Sequence, residues 1–394
     1  MDIVIVGLQP WYVEIGSNCK SIALEFAKEH RVLYINMPID RKTAAGRSPD
    51  PKILHHLDLI RNRRERIIPI APNLWNYYPK HILESANWLP STKLFKLACL
   101  INGHRFAADI RAATHTLGFK DYILFNDNDI FRSFYLKDLL HPKLYIYYSR
   151  DNLLGVPYWK KHGSTLEPLH IAKADIGVAN SVYLANMLRK YNPNSHYIGQ
   201  GCNLKLFDPD KNYPRPDDIK DISGPIIGYV GAIVDLRIDG NIIGHIARTR
   251  PDWNIIMVGP EDTTFAEGPL HHLPNVRFLG KKDIPALPAY ISHFDVCINP
   301  QRINEVTIGN YPLKVDEYLA MGKPVVATRT ETMSTFGDTV YLADTAEDYP
   351  PLIETALSGN APDRRSQRIR LANTHTWEAS VRNIYAAIEN KRPI

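Results

Sequence analysis

The sequence predicts an α/β protein of two domains, each a parallel sheet with helices on its faces. Three observations carry that prediction. Short apolar runs recur along the chain with amphipathic helical stretches between them, the pattern of buried parallel strands and crossover helices. Residues 207–225, rich in Pro, Asp and Lys and without an apolar period, separate one such series from another. The length, 394 residues, favours two domains over one.

The first series opens with Ile3–Gly7, an apolar run fit for a buried parallel strand. A loop over residues 8–18 leads to a helix at Lys20–Glu29 and a strand at Val32–Asn36. Ligands of such β-loop-α-β units gather at the carboxyl ends of the strands, where this loop lies. Gly16, Ser17 and Asn18 could therefore present backbone N–H groups to a phosphate or sugar; Ser17 or Asn18 could equally serve as a helix cap. Residues Arg41–Arg66 are polar and basic, and Trp75, Tyr77, Tyr78, Trp88 and Leu89 follow. Basic residues beside exposed aromatics suit docking on anionic lipid headgroups. The plainer alternative is a solvated loop beside a half-buried aromatic cluster.

Tyr122–Asn126 is the next strand, ending in Asn126-Asp127-Asn128-Asp129. An Asp-x-Asp pair can hold a divalent metal, but a helix expected over Ile130–Leu140 follows at once and favours capping. Asp151 stands just beyond the strand Leu144–Ser149, where it could act as a general base or only turn the chain. Strands Ile176–Asn180 and His196–Gly199 flank a helix at Val182–Tyr191, and Gly199–Asn203 closes the series.

The second series has strands at Ile226–Val230, Asn254–Val258, Val276–Leu279, Val296–Asn299, Val325–Thr328 and Val340–Ala343. Gly228-Tyr229-Val230-Gly231-Ala232 ends the first of them in a glycine turn, with Arg237 and Asp239 just beyond. Gly228 and Gly231 fit either a phosphate-binding turn or tight strand–helix packing. The chain ends in an amphipathic helix over Trp377–Asn390.

The stretch Gly309–Thr328 carries the chemistry. Pro312 suits a first helical turn, Val315, Tyr318 and Leu319 form one apolar face, Gly322 suits the left-handed closing position, and Pro324 stops the helix. Free N–H groups near Pro312, Leu313 and Lys314 make a seat for phosphate oxygens, and Lys314 adds a full charge. Glu317 lies three residues on, so both side chains can face one ligand. A carboxylate can accept from two neighbouring hydroxyls, such as those of a ribose. Phosphates on Lys314 and ribose on Glu317 describe a nucleoside diphosphate; a solvated Lys–Glu pair on a surface helix is the bland alternative.

Composition excludes several classes. A net charge of +5 is too mild to argue for nucleic acid and is compatible with anionic substrates or an anionic membrane surface. The four cysteines, Cys19, Cys99, Cys202 and Cys297, lie far apart with no metal or disulfide spacing, which points to a reducing cytoplasm. A strand begins directly after Met1-Asp2, so no signal peptide is expected. No apolar run approaches the roughly 20 residues that span a bilayer.

Several of these stretches together resemble the GT-B-fold glycosyltransferases related to family 4, in particular transferases of bacterial surface polysaccharides of teichuronic-acid and xanthan type. The carriers are the opening strand with Gly16-Ser17-Asn18, Gly199–Asn203, Gly228–Gly231, Thr376-Trp377-Glu378 and, above all, Pro312–Val326. The resemblance implies two Rossmann-like domains, 1–206 for the acceptor and 226–374 for the nucleotide sugar, facing a cleft. A linker at 207–225 would join them, and a helix in 375–394 would pack back on the first. It implies a nucleotide diphosphate sugar as donor, a UDP-sugar favoured, with no metal or other cofactor, and a glycan or lipid-linked acceptor, with possible docking on the inner face of the membrane. Glu317 matches the ribose-binding glutamate, Leu313 and Lys314 the diphosphate-binding positions, and Arg237 the basic residue after the glycine turn. One departure stands out. The family's second glutamate would fall at position 309, which is Gly309, with Asn310 the candidate replacement. Retention or inversion is thereby left open; inversion would need a base such as Asp151. Alternatives are a nucleotide-sugar epimerase or hydrolase on the same fold, or a non-catalytic sugar-binding scaffold.

Overall fold

The structure, a computed structural model, describes residues 1–12, 17–46, 50–62 and 64–390. The chain forms two compact units, one of Met1–Gly199 with the residues from Ser380 onward, the other of Gln200–Ala379.

The first unit is built on an eight-stranded sheet. Its strands are β1 (Asp2–Val6), β2 (Arg31–Ile35), β3 (Ile67–Ala71), β4 (Leu74–Tyr77), β5 (Ile123–Asp127), β6 (Leu144–Ser149), β7 (Ile176–Ala179) and β8 (Ser195–Tyr197). The order is β3-β4-β2-β1-β5-β6-β7-β8, parallel except where β3 runs antiparallel to β4 at the edge. Strands β1, β5 and β6 are buried at every position, as strands covered on both faces must be. The strand order reverses between β1 and β5, which opens a crevice at their carboxyl ends.

Two expectations for this unit are corrected. Residues Arg41–Arg66 are not a solvated loop: Asp50 caps a helix over Pro51–Arg61, which buries His56, Leu57 and Leu59. The Asp-Pro start and the apolar spacing were hidden among the charges. Nor does a helix run over Ile130–Leu140; only Leu136–Leu140 is helical. The carboxylate of Asp129 takes the Ser133 N–H at 2.6 Å and holds the intervening residues in bends. Long helices at Thr92–Thr116 and Pro157–Lys173 complete the layer. Residues of the C-terminal helix (Trp377–Glu389) from Ser380 on pack here: the Tyr385 ring lies 5.7 Å from that of Phe26, and Asn383 donates to the Ile198 carbonyl at 3.1 Å.

Inside this unit Glu167, 2% exposed, accepts from the Tyr147 hydroxyl at 2.9 Å. Burial pushes its carboxyl up to about 7, against that hydrogen bond. The folded state thus holds the proton more tightly than the unfolded chain, so this contribution to stability is complete below the ordinary carboxyl range. It is lost as pH rises through about 7. Glu167→Gln keeps an acceptor for Tyr147 and has no charge to bury. Melting curves at pH 6 and pH 8 should show a smaller drop for the variant than for the parent; equal drops would contradict this assignment.

The second unit holds six parallel strands, β9 (Ile226–Val230), β10 (Asn254–Val258), β11 (Val276–Phe278), β12 (Val296–Asn299), β13 (Val325–Thr328) and β14 (Tyr341–Ala343), in the order β11-β10-β9-β12-β13-β14. Every strand expected from the sequence is present, because all six are short apolar runs bounded by turn residues. The order reverses between β9 and β12, which places a second crevice at their carboxyl ends. Segment 207–225 is not a free connector: Phe207, Ile219 and Ile222 are buried in this unit's core. Scattered among prolines and acids, they show no period that sequence could reveal.

The four cysteines are free thiols and buried. Among the described residues no helix is long and apolar enough to cross a membrane.

Candidate functional site

The crevice of the second unit gathers six of the residues singled out above. Strand β9 is followed directly by Gly231, whose φ of +145° few side chains tolerate. An added Cβ there would stand 2.9 Å from both Cε and Nζ of Lys314. Gly231 thus does two things at once: it turns the chain and leaves room for the lysine. Gly228 has the plainer role, since a Cβ would collide with the Phe294 ring.

Lys314 sits in the first turn of the helix Leu313–Ala320, which no side chain caps. The helix buries Val315, Tyr318 and Leu319 completely. Each such burial contributes about 1.5–3 kcal/mol and fixes the helix against the sheet. The Tyr318 hydroxyl adds a clamp, donating to the Val230 carbonyl at 3.3 Å and accepting from the Val230 N–H at 2.7 Å. The amides expected to be free at this start are in part engaged: the Leu313 N–H donates to the Tyr311 carbonyl at 3.2 Å and the Val315 N–H to the Pro312 carbonyl at 2.9 Å. What the helix start offers a ligand is therefore chiefly the Lys314 side chain with the positive end of the helix dipole.

Lys314 Nζ donates to the Tyr229 hydroxyl at 2.7 Å and lies 4.5 Å from the centre of that ring. Among the described residues no carboxylate pairs with it. Its charge is thus positioned by a neutral ring and left unneutralised, which suits an anion. Glu317 is half-buried, and among the described residues its carboxylate makes no hydrogen bond. Burial pushes it up to about 7; Lys314 opposes the shift and the charge of Asp316 adds to it. A carboxylate with open acceptor sites, near a cation it does not bond, has the chemistry to accept two hydroxyls.

The loop from β12 to this helix is pinned on the turn after β9. Arg302 bonds Asp235 at 2.6 Å, Asn304 donates to the Leu236 carbonyl at 2.8 Å, and Gln301 donates to the Thr307 carbonyl at 2.8 Å. This brings Asn310 to Arg237. With its amide oriented to satisfy both ends, Asn310 donates to the Val306 carbonyl at 3.2 Å and accepts from Arg237 Nη1 at 2.9 Å. Arg237 remains exposed.

Sequence reasoning missed the groups that hold this machinery. Tyr229 lies between the two glycines of the turn and positions Lys314. Asp316, fully buried beside Glu317, meets His375 Nδ1 at 2.7 Å, and the Tyr311 hydroxyl lies 3.1 Å from the same nitrogen. Burial raises the Asp316 carboxyl, and its bonds to His375 and Tyr311 oppose the shift. This network ties the helix carrying Lys314 and Glu317 to the segment before the last helix. The Asp-Glu pair was a visible signal; its partner, 59 positions away, was not.

The residues singled out in the first unit gather at the crevice of the first sheet. Ser17 is a cap, its hydroxyl accepting from the Lys20 N–H at 3.2 Å. Asn18 donates to the Tyr148 hydroxyl at 3.2 Å. Gly16 lies outside the described residues. Asp127 is no cap: it takes the Leu8 N–H at 3.1 Å and Arg150 Nε at 2.8 Å. Arg150 reaches on to Asp151 at 2.9 Å. Burial works against the Arg150 charge, but Asp127 and Asp151 outweigh it and raise its pKa. Asp151 is thus held by an ion pair at the crevice. Among the described residues no three His, Cys, Asp or Glu side chains converge as a metal-holding group.

Residues 224–357 match the model of the family described as Glycosyl transferases group 1. The second unit carries a group 1 glycosyltransferase domain. The matched stretch contains Gly231, Arg237, Asn310, Leu313, Lys314 and Glu317. Over 248 residues the chain is 29% identical to TuaH of Bacillus subtilis (strain 168), named as a teichuronic acid biosynthesis glycosyltransferase. That match covers 60% of this chain and 62% of TuaH, less than two thirds of the relative's length. Among solved structures, sucrose-phosphate synthase of Thermosynechococcus elongatus matches with a TM-score of 0.68 at 17% identity, over 98% of each chain. Anabaena HepE in complex with UDP matches with a TM-score of 0.67 at 14% identity, over 99% of this chain and 100% of that one. A structure described as trehalose-6-phosphate from E. coli bound with UDP-2-fluoro glucose matches with a TM-score of 0.66 at 9% identity over both whole chains. The group 1 domain thus sits in a chain with the GT-B fold, as the resemblance of Pro312–Val326 implied.

Proposed function

We propose that this protein is a glycosyltransferase that moves a sugar from a nucleotide diphosphate donor, with UDP favoured as the nucleotide, to a glycan or lipid-linked acceptor. The observation that carries the reading is Lys314, a cation that no carboxylate pairs with among the described residues, at a helix start without a side-chain cap and three residues before a carboxylate that makes no hydrogen bond among them. The UDP in the HepE structure supports the choice of nucleotide, and the name of TuaH supports a place in surface-polysaccharide synthesis.

In the reaction an acceptor oxygen bonds to the anomeric carbon as the bond from that carbon to the β-phosphate oxygen breaks. The diphosphate leaves with the electron pair. Lys314, the positive end of the helix dipole and Arg237 stabilise the charge that develops on it, without calling on a metal. Glu317 holds the ribose hydroxyls, and Asn310 meets the sugar from beside Arg237. The proton of the acceptor passes to a base.

Thermal melting with a nucleotide panel tests this. At about 100 times Kd, UDP should stabilise by about 2.7 kcal/mol and raise the melting temperature by several degrees, in EDTA as in magnesium. Absence of any shift, or equal shifts from every nucleoside diphosphate, would count against a specific donor site.

A further inference from the structure

The first unit contains a cavity of about 410 Å³ that the donor site does not use. Its walls come from the segments after β2, β4, β5 and β6, on the carboxyl side of the first sheet, and from the Thr92–Thr116 helix. Its size falls within the range of small-molecule sites, about 300–1,000 Å³. The floor is apolar and buried, formed by Leu83, Phe95, Cys99 and Phe131. Two exposed aromatics stand at the wall, Trp88 at 74% and Tyr158 at 49%.

Two cations in this apolar setting keep side-chain donors that, among the described residues, make no hydrogen bond. Arg132 is only 26% exposed, and its nearest acid, Asp129, is 3.7 Å away. Among the described residues its guanidinium makes no hydrogen bond. Lys42, exposed at the same cavity, likewise makes no hydrogen bond or ion pair through its ammonium among the described residues. The acids of the wall are already engaged. Asp40 accepts from the Thr43 N–H and the Ser85 hydroxyl, both at 2.9 Å. Glu84 is held by Arg41 at 2.6 Å and Arg105 at 2.8 Å. Lys161 donates to the carbonyls of Asn87 and Trp88. A guanidinium offers five donors in a fork that matches phosphate, and withdrawing them from water without acceptors is unfavourable.

We propose that this cavity binds an organic phosphate, its anion on Arg132 and Lys42 and its apolar body on Phe95 and Phe131 between Trp88 and Tyr158. On the transferase reading, on which this one clause rests, the ligand is the acceptor. The phosphate could belong to a membrane lipid headgroup or to a soluble amphiphile. Exposed Leu94, Leu97 and Ile101, which share the helix of Phe95, make the first source worth a separate arm.

The test is calorimetric titration of the full chain with farnesyl phosphate, with inorganic phosphate and farnesol as separate probes. Farnesyl phosphate should bind at least tenfold tighter than either. Arg132→Gln should weaken it at least tenfold, and Lys42→Gln, at an exposed position that carries no packing, about threefold. Neither variant should change UDP affinity, and Lys42→Gln should leave the melting temperature unchanged, whereas Arg132→Gln also removes the counter-charge of the buried Asp129 and should lower it. Co-sedimentation with phosphatidylglycerol vesicles that is lost in Arg132→Gln assigns the lipid source; binding in solution without co-sedimentation assigns the soluble one. Equal affinity in both variants, farnesol matching farnesyl phosphate, or no saturable binding overturns the proposal. If UDP fails to bind while farnesyl phosphate does, the donor reading falls and this site stands.

Discussion

Lys314→Ala is expected to lower sugar transfer by about 10²- to 10³-fold, the scale seen when one preorganised group that stabilises a leaving anion is removed. The protein should stay folded. The lysine's packing value lies in its contact with the Tyr229 ring, 4.5 Å away, worth about 0.5–1 kcal/mol. The hydrophobic face of its helix does not depend on it. Turnover of UDP-sugar by the purified variant, beside its melting curve, checks the prediction. A large loss of rate with a small change in melting is the expected pair; normal turnover would move the diphosphate elsewhere. Losing both together would show that Lys314 supports the fold.

The second large effect is a pH dependence of donor affinity that passes through Glu317. Its carboxyl lies at about 7, raised by burial. Hydroxyl donors bind the ionised form, so donor binding favours loss of the proton. Affinity for UDP-glucose, whose diphosphate has no proton to lose near neutrality, should therefore rise about tenfold from pH 6 to pH 8. Glu317→Gln removes the titration. Its affinity should be nearly flat with pH and, at pH 8, about 10- to 100-fold weaker than that of the parent, the worth of a hydrogen bond to a charged group. Calorimetry at both pH values measures this. A parent that bound equally at pH 6 and 8 would remove Glu317 from the ribose.

Much of the second unit was legible in the sequence, for a physical reason. Its central strands β9, β12 and β13 are buried at every position, so they read as short apolar runs, and its site is local: Lys314 and Glu317 share one turn of helix. Gly231 announced a turn but not its second role, making room for the lysine, because that depends on a neighbour 83 positions away (314 − 231). The Asp316–His375 pair was hidden for the same reason. The first unit was harder to read. Its Thr92–Thr116 helix keeps leucines exposed and buries Asn102 and Asp109, so its apolar face is blurred. Helix Pro51–Arg61 lay in a stretch whose charges suggested a loop. At Asp129, one carboxylate bonding the Ser133 N–H turned an expected helix into bends, a local competition that propensity does not capture.

A crystal structure of the protein soaked with UDP tests the central claim most directly. The account predicts phosphate oxygens within hydrogen-bonding distance of Lys314 Nζ, and both ribose hydroxyls on the carboxylate of Glu317. UDP seated away from these two side chains, or seated there with its ribose turned from Glu317, would contradict it.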